Sequence, residues 1–135
     1  MDKDFRRKYW SVTQDDEFRN LRMPEHGGNV IFHPEGLPSR VRLVHKLVRG
    51  RVEIIFKGKR DDFVALKKVV AELPDHAFEV HTYKQSTAIS AQVPPLVKEM
   101  NFEPQKEKVV EGLRAAVKLW EWFCGNKDKI MGAVS

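Results

Sequence analysis

The runs "RVRLVHKLV" (Arg40–Val48) and "RVEIIFKG" (Arg51–Gly58) constrain this chain more than any other feature. Both read as strands, on which successive side chains point to opposite faces. Arg49-Gly50 between them supplies the glycine that a tight hairpin wants. A two-residue turn here places Val48 opposite Arg51. The apolar face then pairs Leu47 with Val52, His45 with Ile54 and Leu43 with Phe56, which brings the large apolar side chains together. The other face pairs Lys46 with Glu53, Val44 with Ile55 and Arg42 with Lys57. The Lys46–Glu53 pair is worth about 0.2–1 kcal/mol, and Arg42 facing Lys57 is mildly unfavourable.

A second hairpin follows. "FEVHTYK" and "STAISAQV" flank Lys84-Gln85 and pair Val80 with Ile89, Thr82 with Thr87, Glu79 with Ser90 and His81 with Ala88. Between the hairpins "RDDFVALKKVVAEL" has the stripe Phe63, Leu66, Val69, Val70 and Leu73 of an amphipathic helix, with Asp61 and Asp62 at its start. A helix over residues 3–20 carries Phe5, Tyr9 and Val12, and "NVIFHP" (Asn29–Pro34) is a short strand. Pro104 opens a last helix to about Cys124, with Val109, Leu113, Ala116, Val117, Trp120 and Phe123 on one face. The order ββαββα after an N-terminal helix and short strand implies an α+β fold. It predicts an antiparallel sheet of four to five strands with helices packed on one face. Residues 1–125 are expected to form a single domain, and 126–135 a loose tail.

Composition narrows the partners. No run approaches the roughly 20 apolar residues of a membrane span, and "MDKDFRRKYW" has no apolar signal segment. With a single cysteine, Cys124, neither an internal disulfide nor a CxxC redox pair can form. A cytoplasmic protein with no membrane partner is the expectation. Between Arg40 and Arg60 lie Arg40, Arg42, Lys46, Arg49, Arg51, Lys57, Lys59 and Arg60 against one acid, Glu53, although the whole chain carries only +5. Such a cluster favours a polyanion. Arg40, Arg42, Arg49, Arg51, Lys57, Lys59 and Arg60 are therefore the candidate nucleic-acid contacts.

Catalytic patterns are harder to assemble. A metal-dependent nuclease of the Glu-x-Lys type needs its carboxylate and lysine at i and i+2 on one strand face. Glu53 is followed at i+2 by Ile55, and Lys57 lies about 13 Å further along the strand. The five histidines, His26, His33, His45, His76 and His81, make no helical zinc spacing, and no phosphate-loop or dinucleotide fingerprint is present. His45 suits a hydrogen-bonded core histidine, and Cys124 suits packing rather than nucleophilic attack. Glu79, His81, Tyr83, Ser86 and Ser90 form a polar face on the second hairpin that is ordinary for a solvated strand. No catalytic residue, metal site or cofactor is assigned, and a non-enzymatic role is favoured.

"GLPSRVRLVHKLVRGRVEIIFKG", "YKQSTAISAQVPPL" and "LRAAVKLWEWF" together resemble the C-terminal region of bacterial proteins of the PD-(D/E)XK nuclease superfamily. The likeness rests on Arg49, Gly50, Val52, Glu53, Ile54 and Phe56, then Ala88, Ile89, Val93 and Pro94, and spans about Asn29 to Phe123. Lys84-Gln85-Ser86 departs from the plain Lys-Ser of that pattern. The resemblance implies a nuclease-associated accessory module, with the catalytic half expected upstream and none of its residues here. Two readings follow. One is a small nucleic-acid-associated binding module that contacts phosphates. The other is a protein-interaction domain, docking on a nuclease-like partner or forming a homodimer through exposed Val44 and Ile55 and the tryptophans Trp120 and Trp122.

Overall fold

The computed structural model describes residues 3–22, 25–26, 29–58, 62–74, 77–97 and 101–134, with backbone alone for 25, 26, 62 and 63. The fold is α+β, with helices layered on one face of an antiparallel sheet. Its strands are β1 (Glu25–His26), β2 (Val30–Phe32), β3 (Val41–Lys46), β4 (Arg51–Lys57), β5 (Glu79–Thr82) and β6 (Ser86–Gln92). Their spatial order is β1-β2-β3-β4-β6-β5, so the pairing of β4 with β6 joins the two hairpins into one sheet. Among the described residues the α-helices are α1 (Lys3–Thr13), α2 (Asp62–Glu72), α3 (Lys106–Gly125) and α4 (Lys127–Val134).

Both hairpins form, but only the second has the expected register. Val80 faces Ile89, Thr82 faces Thr87, Glu79 faces Ser90 and His81 faces Ala88. In the first, Lys46 faces Arg51, Val44 faces Glu53 and Arg42 faces Ile55. This is a two-residue slip from the expected pairing. The connection is a four-residue loop, Leu47 to Gly50, closed by the Gly50 amide on the Lys46 carbonyl at 2.9 Å. Gly50 adopts φ +71° at the last loop position, and Val93 and Leu96 donate to the Gly50 and Leu47 carbonyls at 2.9 and 2.8 Å. The longer loop lets Leu47 enter the core, where it is 2% exposed, while Val48 stands out at the tip. A slip of two preserves the facing of every side chain. The core face is therefore the expected one: Val41, Leu43, His45, Val52, Ile54, Phe56 and Ile89 are all buried.

Helix α3 crosses this face over β3, β4 and β6 and buries Val109, Leu113, Ala116, Leu119, Trp120 and Phe123. Val117, expected among them, is half-buried. At the crossing, helix backbone touches a strand side chain: a Cβ built on Gly112 would lie 2.6 Å from His45 Nε2. His45 is wholly buried, and its Nδ1 shares a 2.7 Å hydrogen bond with the Tyr9 hydroxyl of α1. Burial holds the imidazole at a pKa of about 4 and raises the Tyr9 phenol well above its ordinary value. The core-histidine expectation is met.

Three other expectations need correction. The helix over 3–20 is two elements. Thr13 Oγ1 bonds back to the Trp10 carbonyl at 2.6 Å, Asp15 is extended at ψ 143°, and a 3₁₀ turn, Asp16–Leu21, buries Phe18 and Leu21. The tail is not loose, because α4 packs on α2 and buries Ile130 completely. Cys124 is exposed rather than packed. The helix stripe Leu66, Val70 and Leu73 is buried as the sequence implies and Val69 half-buried, while Asp61, His76 and the side chains of Phe63, Asp62 and His26 lie outside the described residues.

Candidate functional site

Alternation along the strands leaves a second sheet face, made by Ile31, Arg42, Val44, Lys46, Arg51, Glu53, Ile55, Lys57 and the residues that β6 and β5 align with them. The helices occupy the opposite face, so whatever this one carries is presented by the sheet itself. Two features are built on it.

The first is a buried carboxylate. Glu53 is 0% exposed although it sits on the face away from the helices. Its Oε1 lies 2.6 Å from Lys46 Nζ, and its Oε2 accepts a 2.7 Å hydrogen bond from the Tyr83 hydroxyl. Lys46 Nζ also lies 4.3 Å from the Tyr83 ring centroid, and Arg51 Nη1 donates to the Tyr83 oxygen at 3.3 Å. Lys46 and Arg51 stand opposite each other in register, and Glu53, on the diagonal, relieves that like-charge pair. The Lys46–Glu53 pairing is thus made, but diagonally and buried, where breaking it costs several-fold more than at a surface.

The second feature is a groove of about 720 Å³, lined chiefly by Ile31, Arg40, Arg42, Val44, Ile55 and Lys57, with Asn29, Lys46, Gln85 and Ser86 around its edge. Val44 and Ile55 form its floor, Val44 buried at 5% and Ile55 half-buried. Ile31 joins them because β2 sets it opposite Val44. Arg40, Arg42 and Lys57 crowd one rim. The register slip removes the expected Arg42–Lys57 opposition and brings Lys57 alongside Arg40: the Lys57 amide donates to the Arg40 carbonyl at 3.0 Å, and Arg40 Nη2 donates to the Lys57 carbonyl at 2.8 Å. Arg40 holds φ +71° to make this turn. None of these three cations has a carboxylate partner among the described residues, whereas Lys46 is neutralised by Glu53.

The seven basic candidates therefore divide. Arg40, Arg42 and Lys57 converge on the groove. Arg49 is exposed at the hairpin tip and Arg51 is engaged with Tyr83, both about 20 Å along the strand from Lys57. Lys59 and Arg60 lie outside the described residues. The expected interaction residues change character. Val44 is not exposed, Trp120 is 7% exposed and stacks on Phe123 at 5.5 Å, and Trp122 packs on Phe78 at 4.8 Å while donating to the Pro74 carbonyl. Both tryptophans bind the helical layer to its own molecule. Asn29, Ile31 and Gln85 join the groove without having been expected there, and Ser86, expected on a solvated polar strand face, lies at its edge. Ile31 carried a weak signal as the outward residue of a three-residue strand, and its placement needs the β2–β3 pairing.

On the second hairpin, His81 Nε2 lies 3.1 Å from Glu79 Oε2, Ser90 is buried beside Glu53, and of the five polar-face residues Ser86 alone reaches the groove. Among the described residues, no group of three His, Cys, Asp or Glu side chains is placed to hold a metal ion. No helix among them is long and apolar enough to cross a membrane. A scan against protein-family models finds no match, and neither a curated protein nor a solved structure is significantly similar.

Proposed function

We propose that the chain is a non-catalytic nucleic-acid-binding module that takes phosphates on the rim formed by Arg40, Arg42 and Lys57. The observation that carries the reading is the convergence of these three cations, free of carboxylate partners among the described residues, on one groove of the sheet face opposite the helices. Cations left unpaired around a concavity attract a polyanion and release its counterions on binding. The resemblance of the two hairpins to the PD-(D/E)XK-associated region supports a place beside a nuclease, in the cytoplasm. Nothing comparable supports self-association: the apolar residues of this face are recessed between charged ones, and the tryptophans are packed inward.

The test is fluorescence anisotropy with a labelled oligonucleotide at several salt concentrations. Three phosphate contacts predict a log K against log salt slope of about −2 to −3. Arg42→Gln and Lys57→Gln should each lower its magnitude by about one. Arg49→Gln, the same charge change away from the groove, should lower it by less. No binding at low salt, or equal effects from all three variants, would overturn the proposal.

A further inference from the structure

We infer that the groove takes an unpaired strand, seating a nucleobase on its apolar floor while the rim holds the adjoining phosphates. The inference rests on the nucleic-acid reading above and adds which form of nucleic acid fits.

The register builds the floor. Ile31 opposes Val44 across β2 and β3, and Ile55 opposes Ala88 across β4 and β6. Val44 and Ile55 lie diagonally, since Val44 faces Glu53 and Ile55 faces Arg42. The apolar floor of the groove thus crosses three strands through Ile31, Val44 and Ile55, about 10 Å at ordinary strand spacing, with Ala88 buried beside it. Val44 is buried and Ile31 and Ile55 half-buried, so the floor lies below the charged rim. Phosphate contacts alone give no use to such a floor. It gains free energy when apolar surface covers it, and a base face is the apolar surface that nucleic acid offers.

A duplex cannot offer that surface. Its base faces are stacked inside, and its grooves present base edges to protein elements that protrude. This site is recessed, and its cations crowd one side of a concavity. An unpaired strand presents base faces beside its phosphates, as proteins that bind single strands exploit on open sheet faces. The groove volume, about 720 Å³, lies within the range of sites that enclose a group the size of a nucleotide. Asn29 and Gln85 at the edge supply amides that can donate to or accept from a base.

The experiment compares three labelled ligands of equal length by anisotropy at one salt concentration: a base-bearing single strand, its duplex, and an abasic sugar-phosphate strand. The base-bearing strand should bind about tenfold tighter than either of the others. Ile31→Thr and Ile55→Thr keep the strand preference for β-branched residues. They should weaken the base-bearing strand alone, leaving abasic binding and the salt slope unchanged. Retained abasic binding also shows that the variants are folded. A duplex bound as tightly as the single strand, or an abasic strand equal to the base-bearing one, would refute the inference and leave the nucleic-acid reading intact. Failure of all three ligands to bind would remove both.

Discussion

Substituting Gly112 by alanine tests the helix–sheet contact on which the fold turns. In an ordinary helix interior the change should stabilise by about 1 kcal/mol, because alanine is the better helix former. Here the new Cβ would lie 2.6 Å from His45 Nε2 and 3.3 Å from Nδ1. Unstrained contacts need about 3.5 Å and the ring's Cε1 lies nearer still, so the ring or the helix must move by about an ångström. The ring has nowhere to go: it is 0% exposed, hydrogen-bonded at Nδ1 and backed by the Tyr9 ring at a centroid distance of 6.0 Å. Overpacking costs about 1–3 kcal/mol, and a strained Tyr9–His45 bond adds about 1. Strain outweighs propensity, and Gly112→Ala should lose about 2 kcal/mol in urea unfolding followed by circular dichroism at pH 7. The same substitution in a His45→Ala background should change sign and stabilise by about 0.5–1 kcal/mol, since the obstructing ring is gone. A neutral or stabilising Gly112→Ala in the unaltered protein, or the same cost in both backgrounds, would refute the reasoning.

His45 also predicts a pH dependence. Its folded pKa of about 4 lies below the ordinary 6.5, so the folded state binds fewer protons than the unfolded state between these values. Its contribution is full above pH 6.5 and is lost as pH falls toward 4. On the order of 3 kcal/mol should separate the unaltered protein from His45→Gln in how far each loses stability over that window, read from urea midpoints. Tyr83→Phe removes the hydroxyl donor from the buried Glu53 carboxylate but leaves a ring beneath Lys46. It should cost about 2 kcal/mol in chemical denaturation. Gly50→Ala forces a side chain into φ +71° and places its Cβ 2.6 Å from the Val93 carbonyl oxygen. A loss of about 2 kcal/mol or more should appear as a lowered thermal midpoint.

The particular successes and failures of sequence reasoning share one physical origin. Period-two alternation assigns each strand residue to a face, and a register shift by two leaves that assignment intact. Leu43, His45, Ile54 and Phe56 were therefore legible as core even though their expected partners were wrong. The second hairpin came out in register because Lys84-Gln85 is a true two-residue turn, with Tyr83 donating to the Ser86 carbonyl at 2.8 Å. The first did not, because Arg49-Gly50 is only half of a four-residue loop. That loop is tied down by Val93 and Leu96, more than 40 residues away. No local pattern contains that tie. The same distance effect hid α4, whose single buried anchor, Ile130, has meaning only against the helices it packs on, α2 above all.

The sequence alone settled the α+β class, the two hairpins, the buried His45 and the excess of positive charge on the first hairpin, since each follows from neighbours within one element. Tertiary structure decided which charges remain available. Glu53 neutralises Lys46 through a diagonal contact, Tyr83 occupies Arg51, and a four-residue loop brings Lys57 beside Arg40 and Arg42. It also placed Ile31 beside Val44, through a strand pairing that no short-range signal encodes. Periodicity is a property of one segment, whereas a groove is a property of several segments in register, and register is set by loop lengths and distant hydrogen bonds.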